Sequence, residues 1–242
     1  EFRRVLFRSQ SAIAAGVPDP VPATTINQLC GSGLRAVGMA AQAIRAGDAE
    51  VVVAGGMESM SRAPHVAEVR EGVKLGDVAL RDTLIADGLW CALTDQHMGG
   101  TAEVVAERFG VSREDQDAFA AESQRLAALA MERDHFAGQV VPVPVPQRRG
   151  EPVLATHDEH PRPDTTAEGL AALRPAFREA GTVTAGNASG INDGAAAMVV
   201  LAEDRAASLG VQPMARILGY AWTGIAPEIM GYAPVDAVRT AL

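Results

Sequence analysis

The stretch from Thr24 to Gly56 constrains the fold more than any other part of the chain. Thr24, Thr25 and Ile26 lie in Val21–Gln28, which reads as a short strand. Cys30-Gly31-Ser32-Gly33 follows as a tight junction. From there the spacing of Leu34, Val37, Ala41 and Ile44 predicts a helix, and Gly47 is its expected stop. Val51-Val52-Val53-Ala54 is a short apolar run closed by Gly55-Gly56, and it reads as a buried strand. The order is therefore strand, turn, helix, strand, with a cysteine at the first turn.

The remaining segments are assigned by the same cues. Ser61 to Leu93 is irregular and contains Gly72, Gly76 and Gly88. A helix is expected after His97-Met98-Gly99-Gly100, with Val104, Val105 and Phe109 on one face. Ser112-x-x-Asp115 is a capping pattern that opens a longer helix to about Phe136. Val140–Val145 alternates valine with proline, which limits it to an edge strand or extended connector. Residues 147–164 are polar and read as loop, and Thr165-x-x-Glu168 opens a short helix that ends near Pro175. Thr182–Ala185 is a strand candidate, followed by the glycine-rich turn Gly186-Asn187-Ala188-Ser189-Gly190. Ala195–Leu201 reads as a second buried strand, Ala202–Leu209 as helix, Ala215–Tyr220 as extended, and Pro234–Leu242 as the start of a helix.

Composition narrows the function classes. The chain has 242 residues, enough for one large domain or two small ones. Its 21 basic and 30 acidic side chains give a net charge of −9, against a general binder of nucleic-acid backbone. Local fields still allow a small polyanionic ligand. Two cysteines, Cys30 and Cys91, are too few for a disulfide scaffold, and point to a reducing, cytoplasmic setting. No apolar run approaches the ~18 residues of a membrane span, so no membrane partner is expected. Glu1–Ser9 is not a secretory signal, and residues 1–10 read as a tail outside the main fold, either a cloning or sequencing scar or a native surface helix.

Cys30 is the sharpest chemical feature. A thiolate is the nucleophilic form of cysteine and is favoured at a helix N-terminus. Gly31 and Gly33 allow close approach of backbone amides and a substrate. That suits acyl transfer through a thioester on the cysteine. A solitary cysteine is more often a packed structural residue, but the strand–turn–helix setting favours the nucleophile. Cys91 lacks such a setting and reads as a packed or incidental thiol. Glu58, Asp193 and Asn187 read as residues that fix turns or neighbouring strands. His157 and His160 lack a further ligand set, so no metal site is expected.

At this point the sequence resembles the thiolase family. The resemblance is carried by Asn27-Gln28-Leu29-Cys30-Gly31-Ser32-Gly33-Leu34-Arg35-Ala36, by the run from Val53 to Ser61, by Leu173-Arg174-Pro175-Ala176-Phe177, and by Thr182 through Ala197. It extends from about Ser11 to Leu242. It implies a layered α/β thiolase-like fold. Residues 11–60 and 191–211 would form part of the first core half, residues 61–190 the loop domain over coenzyme A, and residues 212–242 the start of the second core half.

The resemblance also implies an activity, acetyl-CoA C-acetyltransferase, which makes or cleaves 3-ketoacyl-CoA. Cys30 would carry the acyl group. Leu89, His97, Met98, Arg162, Ala185, Ser189 and Met230 match coenzyme A contacts. Each has a structural alternative: His97 as a loop histidine, Arg162 as a solvated charge, Met230 as core packing. Coenzyme A thioesters enter as substrate, with no permanently bound cofactor, and the implied assembly is a homodimer or homotetramer. His97-Met98 leans the reading toward short acyl chains, with a longer-chain 3-ketoacyl-CoA thiolase as the alternative.

The family's Asn-Glu-Ala-Phe, Gly-His-Pro and final Cys-Gly-Gly segments do not occur in the 242 residues. None of His65, His97, His135, His157 and His160 has the context of the activating histidine. The expectation is a fold cut at both ends, inactive alone or serving as a non-catalytic coenzyme A-binding fragment.

Overall fold

A computed structural model describes residues 9–242, so most of the expected N-terminal tail, residues 1–8, lies outside the described residues. Contacts divide the chain into two compact units. Among the described residues the first comprises 9–65, Asn192–Ala221 and Ala241–Leu242; the second comprises Val66–Ile191 and Trp222–Thr240.

The first unit is built on helix α1 (Ser32–Ala46) and two long strands, β1 (Val51–Glu58) and β6 (Gly194–Leu201). Gly47 ends α1 with φ 81°, as expected for a glycine stop, and its amide bonds to Ile44. The strands pair antiparallel in one unbroken register, from Val51 opposite Leu201 to Glu58 opposite Gly194. Helix α5 (Glu203–Leu209) follows β6.

The register explains which side chains are covered. Helix α1 lies on the strand pair, and Val52 and Ala54 alternate with the exposed Val51 and Val53. Ala54 is buried, whereas Val53 is 62% and its partner Val199 60% exposed. The expected burial of both strands is therefore corrected. Among the described residues no third strand pairs with β1 or β6, and α1 packs against both strands.

The second unit contains a hairpin of β2 (Trp90–Cys91) and β3 (Gln96–His97), helix α2 (Met98–Phe109) and helix α3 (Arg113–Glu132). A second hairpin pairs β4 (Val143–Val145) with β5 (Val153–Ala155). Helix α4 (Ala167–Ala171), a 3-10 segment over Pro227–Tyr232 and helix α6 (Ala233–Ala241) are further regular elements of this unit. Ser112 forms the expected capping box with Asp115, and α3 ends at Glu132, short of Phe136. The short helix is capped by Thr166 instead of Thr165, because the Thr166 hydroxyl accepts from the Gly169 amide.

Other expectations fail for identifiable reasons. Val21–Gln28 is irregular, apart from an isolated bridge between Gln28 and Cys30. Three prolines, Pro18, Pro20 and Pro22, remove backbone donors around its start. Thr182–Ala185 is not a strand; only Thr184 bridges to Pro175, because side chains take up the neighbouring amides. Val153–Ala155 lies in the expected loop but pairs with the valine–proline strand. No helix among the described residues is long and apolar enough to cross a membrane.

Gly55 marks the tightest point of the strand pair, since a Cβ there would overlap the Ala196 carbonyl. Gly55→Ala should destabilise the chain by ~1–3 kcal/mol, as overpacked substitutions do. Urea unfolding followed by circular dichroism checks this, and an unchanged midpoint would contradict the packing.

Candidate active site

The Cys30 turn sits immediately before α1. Gly31 is the N-cap and contributes no side chain. The turn is closed instead by its neighbours. Asn27 Oδ1 accepts from the Leu29 amide at 2.9 Å. Ser32 Oγ accepts from the Gln28 amide at 2.8 Å and donates to the Leu29 carbonyl at 2.7 Å. Between these bonds Leu29 is held at φ 48°, a left-handed conformation that is costly for a side chain bearing Cβ. Cys30 follows it, exposed and unbridged.

Strand β1 passes close to this helix start. A Cβ on Gly56 would lie 3.3 Å from Gly33 Cα, so two glycines set the approach. Beyond β1, Asp193 accepts from the Ser61 amide at 2.9 Å, the Ser61 hydroxyl at 2.6 Å and the Ser59 hydroxyl at 3.3 Å. The Ser61 hydroxyl and amide are the main groups holding its carboxyl below the usual aspartate range. Asp193 thus fixes the exit of the strand pair, as its sequence context suggests.

In the second unit, α2 links most of the other predicted residues. His97 is its N-cap: Nδ1 accepts from the Gly99 amide at 3.0 Å. An accepting Nδ1 leaves the ring proton on Nε2. The ring also stacks on Phe177, with centroids 4.8 Å apart. A Cβ on Gly99 would collide with that Phe177 ring. Met98, the first helical residue, is half-buried. At the other end Phe109 stacks on Tyr232 at 4.2 Å, which seats the Pro227–Tyr232 segment carrying Met230. Met230 is 43% exposed while its neighbour Ile229 is buried, so core packing does not consume it.

The middle of α2 holds the glycine-rich turn. Glu103, 1% exposed, accepts from the Thr182 amide at 2.9 Å, the Thr182 hydroxyl at 3.0 Å and the Val183 amide at 2.8 Å. Asn187 then closes the turn. Its Oδ1 accepts from the Thr184 amide at 2.7 Å, and its Nδ2 donates to Asp117 and to the Thr182 carbonyl. Asp117 is held in turn by Arg113, whose guanidinium also donates to the Leu170 and Leu173 carbonyls. Ala185 and Ser189 project from this turn and are exposed.

Two predicted residues stand apart from α2. Leu89 ends a π-helical turn, Leu84–Leu89, that leads into the β2–β3 hairpin. Arg162 is exposed in the loop after β5, where its amide donates to Gln124 Oε1 on α3 and its carbonyl accepts from Thr165. Cys91 lies in the hairpin, unbridged, and hydrogen bonding from Thr94 lowers its thiol pKa.

Glu103 is a buried residue of α2 that the helical spacing of the sequence does not point to. Val104, Val105 and Phe109 are the residues expected on one face of α2, but its buried residues are Gly99, Thr101 and Glu103. The available signal was Gly99 four residues before Glu103, on the same side of the helix.

The chain as a whole is similar to known proteins. Residues 4–204 match the family model for the thiolase N-terminal domain. The chain belongs to the thiolase family. An acetyl-CoA acetyltransferase of Chromobacterium violaceum is 55% identical over 234 residues, covering 96% of this chain and 60% of that protein. One from Thiocystis violacea is 54% identical over 229 residues, covering 94% and 58%. The crystal structure of the Bacillus anthracis acetyl-CoA acetyltransferase superposes with a TM-score of 0.89 at 45% identity, covering 96% of this chain and 58% of that one. Human mitochondrial 3-ketoacyl-CoA thiolase in complex with CoA gives 0.91 at 41% identity, covering 98% and 59%. The chain thus spans about three-fifths of the length of these thiolases, as an incomplete α/β thiolase fold.

Glu103 gives the site a pH signature. Burial raises its pKa, but hydrogen bonds from Thr182 and Val183 and the charge of Arg178 outweigh it, holding the carboxyl below its ordinary 4.5. A depressed native pKa contributes stability that is complete above the unfolded value and lost as pH falls through the native one. Below pH 4.5 the unsubstituted chain should therefore lose thermal stability more steeply than Glu103→Gln. Melting curves across the acid range test this, and parallel acid limbs would contradict it.

Proposed function

We propose that the chain is the acyl-accepting part of an acetyl-CoA acetyltransferase. The observation that carries this reading is the Cys30 turn: an exposed thiol before a helix, behind a left-handed Leu29, within the thiolase motif. The Cys30 thiolate attacks the thioester carbonyl of acetyl-CoA. The carbon–sulfur bond to coenzyme A breaks, and its thiolate leaves and takes up a proton. The Cys30 amide helps to stabilise the oxyanion formed on the way. A second acetyl-CoA, deprotonated at its α-carbon, then attacks the acetyl group, forms acetoacetyl-CoA and releases the Cys30 thiolate. Thiolysis is the reverse.

In this reading Leu89, His97, Met98, Ala185, Ser189 and Met230 line the coenzyme A path, and Arg162 meets its phosphate or adenine. Small side chains at 185 and 189 let the pantetheine arm pass. With a net charge of −9, the phosphates depend on such local cations. Coenzyme A thioesters are substrate, no group is permanently bound, and the whole protein assembles as a homodimer or homotetramer in the cytoplasm. Neither nucleic acid nor membrane is a partner. The core-half and loop-domain boundaries expected from the resemblance belong to the same proposal. The 242 residues alone accept an acetyl group without turning over, because the histidine and second cysteine segments of the family pattern are not among them.

A longer-chain thiolase is the second reading, favoured by the close superposition on human 3-ketoacyl-CoA thiolase. Thiolysis rates of the whole protein against 3-ketoacyl-CoA chain length separate the two. For this chain, incubation with acetyl-CoA should add one acetyl group by intact mass. Peptide mapping should put it on Cys30, Cys30→Ala should abolish it, and Cys91→Ser should retain it. An unmodified mass, or acetyl on Cys91, would overturn the proposal.

A further inference from the structure

The least expected group in the second unit is the Glu103 carboxylate. It is 1% exposed, and burying a charge is costly unless it is paired and hydrogen-bonded. An apolar residue in the middle of α2 would stabilise a helix face at lower cost. The carboxylate is instead spent on one place, the backbone just before the glycine-rich turn. It accepts from two consecutive amides, Thr182 and Val183, and from the Thr182 hydroxyl. Gln116 Nε2 donates to that same hydroxyl oxygen at 2.9 Å.

The surroundings are built to admit it. A Cβ on Gly181 would collide with the Glu103 carboxylate, so glycine opens its route to the amides. Thr184, with 0% exposure, accepts from the Gly186 amide. A Cβ on Gly186 would strike Leu170 and Leu173, the residues whose carbonyls Arg113 holds. The turn is thus fixed from α2 by Glu103 and from α3 by Asp117 through Asn187. Ala185 and Ser189 ride on a loop whose own side chains are exposed and whose anchors are buried.

We infer that Glu103 is a positioning residue for coenzyme A binding: through the Thr182 and Val183 amides it sets the turn that presents Ala185 and Ser189 to the pantetheine arm. This rests on the coenzyme A reading above. Glu103 itself touches no ligand. It acts through the backbone, so its loss should loosen the turn and weaken binding without unfolding the unit.

The test compares the 242-residue chain with Glu103→Gln, which keeps one acceptor oxygen, and Glu103→Ala, which keeps none. Hydrogen exchange is read on peptides covering residues 182–190. The dissociation constant for coenzyme A is read by calorimetry at a temperature where each variant retains its native circular dichroism. Exchange in the turn should accelerate at least ~10-fold in Glu103→Ala, and affinity should fall about 5- to 20-fold, as losses of bonds to a charged acceptor imply. Glu103→Gln should fall between the two, which a merely structural defect would not produce in the folded population. If Glu103→Ala does not fold, the Gln variant decides alone. Unchanged exchange, or a loosened turn with unchanged affinity, overturns the inference and leaves the coenzyme A reading standing. No coenzyme A binding by the unsubstituted chain overturns both.

Discussion

The antiparallel pairing of Val51–Glu58 with Gly194–Leu201 is the constraint on which the rest depends. It joins segments far apart in sequence and turns everything between Ser59 and Asp193 into an excursion from one strand pair. Closing so long a loop is entropically costly, and eight consecutive residue pairs in one register offset it. Gly55 and Gly56 let the strand approach its neighbours, on one side the Ala196 backbone and on the other the α1 start. Asp193 then ties the exit of β1 to the entry of β6 through Ser59 and Ser61. The helix that covers this pair is the one that begins two residues after Cys30, so the sheet and the Cys30 turn are one construction.

In the second unit the equivalent role falls to α2. Its N-terminus is capped by His97, its centre anchors the 182–190 turn, and its C-terminal end seats the Met230 segment. Residues separated by more than a hundred positions are thereby referred to one rigid element. His97 shows how a side chain serves two demands. Nδ1 is committed to the helix cap, which fixes the tautomer and leaves Nε2–H as the remaining polar atom.

The turn–helix–strand order from Cys30 onward was legible because each element announces itself locally, whereas the strand expected before it is irregular backbone. Leu34, Val37, Ala41 and Ile44 have helical spacing, Gly47 stops the helix, and the valines of β1 form an unbroken run. The Ser112–Asp115 capping box is similarly local. Much of the rest depends on distant partners. Val53 and Val199 look like core residues, but their burial requires a cover that local pattern does not report. Thr182–Ala185 has strand composition, yet its amides are claimed by Glu103 and Asn187, a competition invisible to propensity. Glu103 is hidden for the same reason: a glutamate on a helix reads as a solvated charge until its amide partners, some eighty residues away, are known. Membership of the thiolase family was legible from ordered motifs, and the residues that shape those motifs became visible only with the fold.

The central claim is that these residues serve coenzyme A thioester chemistry at Cys30. A crystal structure of the chain grown with coenzyme A tests it most directly. The account predicts electron density for the pantetheine arm against Met98, Ala185 and Ser189, with its thiol end directed to Cys30 and its phosphates met by cationic side chains including Arg162. Coenzyme A bound elsewhere, with the 182–190 turn untouched and the thiol remote from Cys30, would contradict it.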